Sequence, residues 1–424
     1  MTTSPQPASA NALAHRPFVA YWLGLWAASF AVQIMSVAVG WQVYAISHDP
    51  KDLGFIGLVQ FLPPLLLVLV TGLAADAFNR RVIMVLCLSF EALAAVGLVA
   101  FTLSRPTVVW PVFGILALLG TARAFMNPAA DALAPNLLPT EAIAHGISLN
   151  SMTWQIGNIC GPVAGGLLFG ISGAAAYASA LALILSAIVC VVLIGRVDQQ
   201  NHAAETSLST LFAGFRFIRK EKIVLGAISL DLFAVLLGGA VALMPVYASD
   251  ILHAGPWALG FLRAGPGIGA VAMALYLSRF GIRDRAGVLL FGFVAAFGVF
   301  TVLFGVSTAL PLSIVALALM GACDMVSVYI RETLMQLRTP DEVRGRVNAV
   351  NRVFIGASNE LGEFRAGMVA ARIGAVAAVV MGGAGTVAVA GLWSRWFPEL
   401  LKARTLAGRE SQVAVVLQEE ASRT

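Results

Sequence analysis

Residues 150–166 read NSMTWQIGNICGPVAGG, and 201 residues further on residues 351–367 read NRVFIGASNELGEFRAG. Asn150, Asn158, Gly161 and Gly166 return as Asn351, Asn359, Gly362 and Gly367. Working outward at the same offset, Gly120, Asp131, Pro139 and Glu141 return as Gly321, Glu332, Pro340 and Glu342. At an offset of 203, Val43, Tyr44, Gly57 and Pro63 return as Val246, Tyr247, Gly260 and Pro266. One such match could be chance in a chain rich in Ala and Gly. A register held across most of both halves is the mark of an internal duplication.

The solvent of this duplicated chain is lipid. Hydrophobic residues make up 59% of the 424 residues and charged residues 12%, with a mean hydropathy of +0.86, where a soluble domain is roughly half apolar and a quarter charged. Cys87, Cys160, Cys190 and Cys323 all fall in apolar stretches without CxxC or metal-like spacing and read as small core residues. The apolar stretch from Phe18 to Tyr44 is too long for the core of a secretory signal, so it reads as a membrane anchor that stays. No metal and no cofactor is implied.

A bilayer core needs about 20 apolar residues per helix. Twelve spans fit, near 18–44, 54–75, 82–103, 108–129, 147–170, 173–194, 224–249, 257–278, 286–306, 309–330, 350–371 and 373–397. Most of the 27 Lys and Arg then share one side, among them Arg80, Arg81, Arg196, Arg216, Arg219, Lys220, Arg338, Arg344, Arg346 and Lys402, against Lys51, Arg105 and Arg372 on the other. The positive-inside rule puts both termini in the cytoplasm. That placement accounts for the net charge of +5 without a nucleic-acid partner. The expected architecture is an all-α membrane protein of two pseudo-symmetric six-helix bundles: a tail at 1–17, a bundle at 18–195, a linker at 196–222, a second bundle at 223–398 and a tail at 399–424. Within the linker, Leu208 to Ile218 reads as an amphipathic helix lying on the inner membrane face. Two repeats about an axis along the membrane normal are what alternating access uses.

After the second span the chain runs Gly72-Leu-Ala-Ala-Asp76-Ala-Phe-Asn-Arg80-Arg81. Gly72 allows a second helix to approach closely, and Asp76 suits the partial positive charge of a helix N-terminus. An ordinary basic turn accounts for Arg80 and Arg81 but not for Gly72 and Asp76. The pattern resembles the cytoplasmic signature of the major facilitator superfamily, which implies an inner gate; Asp131, repeated as Glu332, joins it. The superfamily has a basic residue where this chain has Ala77, which weakens the latch. In the fifth span, Gly157, Gly161, Pro162, Gly165 and Gly166 match the superfamily's antiporter motif G-x-x-x-G-P-x-x-G-G at every fixed position. Gly at i, i+4 and i+8 makes a flat face for close packing, and Pro162 removes a backbone donor. In the family this motif accompanies export in exchange for protons; the bland alternative is small-residue packing alone. Residues 334–363, with Pro128 and the closing Phe397-Pro-Glu-Leu, resemble the branch that holds the enterobactin exporter and related drug and macrolide efflux proteins. The likeness covers nearly all of residues 15–400 and implies a bacterial inner-membrane transporter, monomeric, with a small-molecule substrate.

Polar groups at membrane depth are expensive and mark pathways or partners. In the eleventh span Gly356, Asn359, Glu360, Glu363 and Gly367 share one helix face. Moving a carboxylate out of water penalises its charged form, so Glu360, Glu363 and Asp324 are the proton-coupling candidates, with structural ion pairing as the alternative. Gln33, Gln60, Arg123, Asn158, Asp231, Arg263 and Asn359 are candidates for lining the substrate cavity. Arg123 and Asp324 occupy equivalent repeat positions, as do Gln60 and Arg263, and Asp324 is expected to pair with Arg123 or Arg263. Glu91 gets no role from its position.

The leading reading is proton-coupled export of a small amphipathic molecule such as a siderophore or drug. Metabolite uptake or facilitated diffusion by the same fold, and a non-transporting sensor, are the alternatives. An enzyme is not expected: His15, His48, His145, His202 and His253 lie in tails, loops or loop edges, without a paired nucleophile or metal spacing. The G-x-x-x-x-G-K phosphate loop is missing, so a gradient rather than ATP is the expected energy source.

Overall fold

A computed structural model describes residues 11–195, 208–282 and 284–403, with the side chains of Leu69, Asp76 and residues 208–213 left out. Among these residues the chain is helical and has no strand. In the first repeat the long helices are α1 (Arg16–Ser47), α2 (Pro50–Ala77), α3 (Arg80–Leu103), α4 (Trp110–Leu133), α5 (Ile143–Ile171) and α6 (Gly173–Leu193). Next come α7 (Leu208–Lys220), α8 (Lys222–Gly238) and the short α9 (Met244–Val246), which runs into a π-helical turn at Tyr247–Ile251. The second repeat continues with α10 (Gly255–Phe280), α11 (Ala286–Val306), α12 (Leu310–Arg338), α13 (Asp341–Ile373), α14 (Ala375–Trp396) and the single turn α15 (Pro398–Leu401).

Local sequence sets many of the ends. Asp49, Asn79 and Ser172 accept backbone N–H bonds as N-caps of α2, α3 and α6. Proline opens α1, α2, α4 and α12, where its missing N–H has no helical partner to lose. Ten spans among the described residues are long and apolar enough to cross a membrane, counting Lys222–Ile251 as one. The two long helices that are too polar for that test are α5 and α13, the pair that carries the repeated Asn and Gly positions of the opening alignment.

The expected seventh span, 224–249, is not a continuous helix. It stops at Gly238, Gly239 turns at φ +30°, and short helical turns resume from Val241. Similarly, α12 runs to Arg338, two turns past the expected end of the tenth span.

The chain divides into two compact units: the described parts of Met1–Thr206 with Met244–Ala264, and those of Ser207–Leu243 with Gly265–Thr424. In the first, α1 packs on α5 and α6, and α3 packs on α4 and α6. In the second, α8 packs on α13 and α14, and α11 packs on α12 and α14. These are the same pairings at the repeat-related helices, so the duplication read from the sequence is a duplication of packing. Small residues permit it: a Cβ on Gly120 would lie 2.3 Å from Gln60 O, and one on its repeat Gly321 would lie 2.0 Å from Pro266 O. The first unit also holds a piece of the second repeat. There Gly260 sits so close to α5 that a Cβ would lie 2.6 Å from Pro162 O.

In α7, the helix expected on the membrane face, Ile218 packs against protein while Phe215 is exposed. Ile218 is 2% exposed and clusters with Val224, Ile228, Met335, Val347 and Val350. Gly214 makes this approach possible, since a Cβ there would stand 2.7 Å from Arg346 O on α13.

Candidate transport site

The break after α8 lines a cavity of about 190 Å³ inside the second unit. Its wall is Val235 and Gly238–Val241 from the broken span, Asp324 and Gly321 from α12, and Asn359 and Glu363 from α13, closed by Phe297, Met320 and Pro266. Irregular backbone at membrane depth is tolerated where it is buried in protein or lines a cavity, and both conditions hold here. The last carbonyls of α8 have a partner: Arg365 donates from Nε to Leu236 O at 2.9 Å, and from Nη2 to Leu237 O. A cation at a helix C-terminus suits the partial negative charge there. Only glycine fits the turn itself, because a Cβ on Gly239 would lie 2.6 Å from Gly362 O.

Of the stripe expected on the eleventh span, Asn359 and Glu363 reach this wall. Asn359 donates from Nδ2 to Ile355 O of its own helix at 3.0 Å. Glu360 is half-buried one residue away from Asn359 and is not among the wall residues.

Asp324 also touches a second, smaller hollow lined by Asp231, Ala234, Val235, Val294, Phe297 and Ser327. Here Arg331 Nη1 meets Asp231 Oδ2 at 2.5 Å, with only about a tenth of either side chain exposed. Asp324 is within electrostatic reach of both. Three charged groups, two acids and one base, thus occupy one buried neighbourhood, and the base is bound to Asp231.

In the first unit the corresponding charge is arranged differently. Arg123 Nε lies 3.8 Å from Glu91 Oε1, and Arg123 Nη1 donates to Gln60 Oε1 at 3.2 Å. Glu91 is 2% exposed. Within that unit Arg123 lies beside Glu91, and Arg263 donates from Nη1 to Ser36 Oγ at 2.6 Å. Gln33 Nε2 donates to Asn158 Oδ1 at 2.5 Å, joining α1 to α5. This contact depends on the glycine face of α5, where a Cβ on Gly157 would meet Ser29 Oγ, on Gly161 Gln33 Cβ, and on Gly165 Ile34 Cα. Gly166 faces the other way, toward Pro256 and Gly260.

At the gate candidates the paired basic residues clamp helix ends. Arg80, 5% exposed, donates from Nε to Ala75 O at 3.2 Å and from Nη1 to Ala132 O at 3.0 Å. Arg81 holds the end of α6 through Val191 O, Val192 O and Gly195 O. Both guanidinium groups thus sit on helix carbonyl ends, a use of positive charge beyond orienting the loop. Gly72 lies within α2, the side chain of Asp76 lies outside the described residues, and Asp131 is within electrostatic reach of Tyr21, which donates to Ala130 O.

A family described as "Transmembrane secretion effector" matches residues 8–417 of this chain. The chain belongs to that family, within the major facilitator transporters. Among curated relatives, the enterobactin exporter EntS of Shigella boydii serotype 18 is 25% identical over 345 residues, covering 79% of this chain and 81% of that protein. Among solved structures, the nucleoside transporter NupG has a TM-score of 0.70 at 14% identity, covering 90% of this chain and 99% of that one. A bacterial homologue of the human lysosomal transporter Spinster has a TM-score of 0.70 at 14% identity, covering 91% and 96%. These likenesses establish the fold.

Two features of this transporter escaped the sequence reading. Arg331 was placed beyond the tenth span, although Asp324, Ser327 and Arg331 stand at i, i+3 and i+7 on one helix face. That periodicity was the available signal. The buried chain in which Tyr177 donates to Gln42 Oε1 at 2.7 Å and Gln42 Nε2 donates to Thr102 Oγ1 at 3.0 Å had no signal beyond a single Gln in a span.

Proposed function

We propose that this membrane transporter exports a small amphipathic molecule in exchange for protons, by alternating access of a binding region to the two sides of the membrane. The observation that carries the reading is the cavity in the second unit, where two carboxylates, Asp324 and Glu363, and the amide of Asn359 stand around unwound backbone. A carboxylate that loses its charge on protonation gives a proton gradient something to act on, and the gradient then biases one conformation over the other. The match of Gly157 to Gly166 to the antiporter motif and the 25% identity to enterobactin exporters favour export over uptake. Both termini lie on the cytoplasmic side in this reading, as the basic residues require. Residues 18–195 and 223–398 act as its two bundles.

The test uses the full-length protein in liposomes, cytoplasmic face outward, with an acidic lumen and a trapped pH-sensitive dye. Enterobactin and ethidium serve as probes of an anionic and a cationic cargo. The expected result is accumulation of one probe together with a rise in lumenal pH. Accumulation independent of the gradient removes proton coupling; movement driven the opposite way makes the protein an importer.

A further inference from the structure

We infer that Asp324 is the group that carries the proton, and that the Asp231–Arg331 pair is the positioning device that leaves it to do so. This rests on the proton-coupled reading above and narrows it to one side chain. Arg331 and Asp231 are held together at 2.5 Å with about a tenth of each side chain exposed, so their charges cancel locally. Arg331 Nε is buried without a hydrogen-bond partner among the described residues, so this guanidinium is not saturated by its first carboxylate. Asp324 stands next to them on the same face of α12 and borders both hollows, one shared with Asp231 and the other with Glu363 and Asn359.

Charge counting then decides the roles. With Asp324 ionised the trio carries one net negative charge, and with Asp324 protonated it carries none. Protonating Asp231 would instead leave Arg331 facing Asp324 alone and break a close ion pair, which is the costlier change in a buried place. The charged or titratable groups shown near Asp324 are Asp231 from α8, Cys323 and Arg331 from α12, and Glu363 from α13 across the cavity; α11 presents Val294 and Phe297, and α10 presents Pro266. The step is simple to balance. A proton from water forms an O–H bond on an Asp324 carboxylate oxygen, and after the change of access that bond breaks and the proton returns to water on the other side. No electrons are exchanged.

The test is an infrared difference titration of the reconstituted full-length protein, reading the carbonyl stretch of a protonated carboxylic acid against pH. Asp324→Asn should remove the titrating band. Asp231→Asn leaves Arg331 with Asp324 as its nearby carboxylate and should move the midpoint toward acid by about one pH unit or more. Arg331→Gln should move it toward alkali by a similar amount, and Asp231→Glu should restore the wild-type midpoint. Where Arg331→Gln alone fails to fold, the double variant Asp231→Asn/Arg331→Gln replaces the ion pair with a neutral one, and its midpoint should return toward wild type. A band that survives Asp324→Asn, or a midpoint unmoved in Asp231→Asn and unmoved by the double variant relative to it, overturns the assignment. Proton counterflow in wild-type liposomes reports separately on the parent reading. Its absence with an intact, pair-controlled Asp324 band sinks the coupling but not the charge arrangement, whereas its persistence in Asp324→Asn sinks the assignment but not the coupling.

Discussion

Where the first repeat carries Arg123, the second carries Asp324, and the two units surround these groups with different partners. Arg123 lies beside Glu91 and Gln60 in the first unit, a base answered by one acid and one amide. In the second unit the base, Arg331, is already held by Asp231, and Asp324 borders a cavity. The same packing frame therefore holds one base beside one acid in one copy, and two acids with one base beside a cavity in the other. The backbone follows suit: α1 runs unbroken past Ser36, while the equivalent Gly239 breaks the seventh span beside that cavity. Duplication fixed the helix pairings, and the two copies differ in the buried charges they carry.

The comparison can be broken most decisively at Glu91 and Arg123. Arg123→Leu strands a buried Glu91 and should cost about 3–5 kcal/mol, while Glu91→Leu/Arg123→Leu should recover most of it. Thermal unfolding in detergent measures both, and a double variant as unstable as the single would mean that Glu91 and Arg123 do not act as a pair. Gly239→Ala comes next. It places a Cβ near Gly362 O in a left-handed turn and should cost about 2–3 kcal/mol, against about 1 kcal/mol for Ala38→Gly inside the continuous α1. Equal losses would say that the break is not the special feature of the second unit.

The repeated glycines sharpen the contrast further. Gly362→Ala meets backbone, Val235 O at 2.8 Å, whereas Gly161→Ala meets the side chain of Gln33 at 2.5 Å. Both should fall in the range of about 1–3 kcal/mol, with Gly161→Ala the larger because Gln33 Cβ is fixed to its own backbone and the approach is shorter; the reverse order in the same unfolding assay would place the more rigid contact in the second unit. The smallest effect belongs to Lys222→Ala, which removes an ion pair to Glu399 exposed on both sides and should change stability by less than about 0.5 kcal/mol. A larger loss would show that charge outside the two buried clusters also matters.

Much of this was legible in the residues. Composition alone demands lipid, since a chain with 12% charge and apolar stretches of membrane length has no other way to shelter that surface. The offset between Asn150–Gly166 and Asn351–Gly367 announces two related bundles because packing glycines must recur wherever the same helices meet. Depth in the membrane marked Asp324, Asn359 and Glu363, which line one cavity. What periodicity cannot report is which buried charge answers which. Arg123 has Glu91, Gln60 and Asp324 as formal options in the sequence, and the choice depends on how helices rotate about their axes. Nor could the pattern show that Arg365 holds the carbonyls at the end of α8, or that Ile218 of α7 is buried against α8, α12 and α13. Hydrophobicity and repeat spacing are properties of each segment and survive without a fold. Ion pairing, a helix break supported by a neighbouring guanidinium, and an acid left over beside a cavity exist only once distances between helices are set.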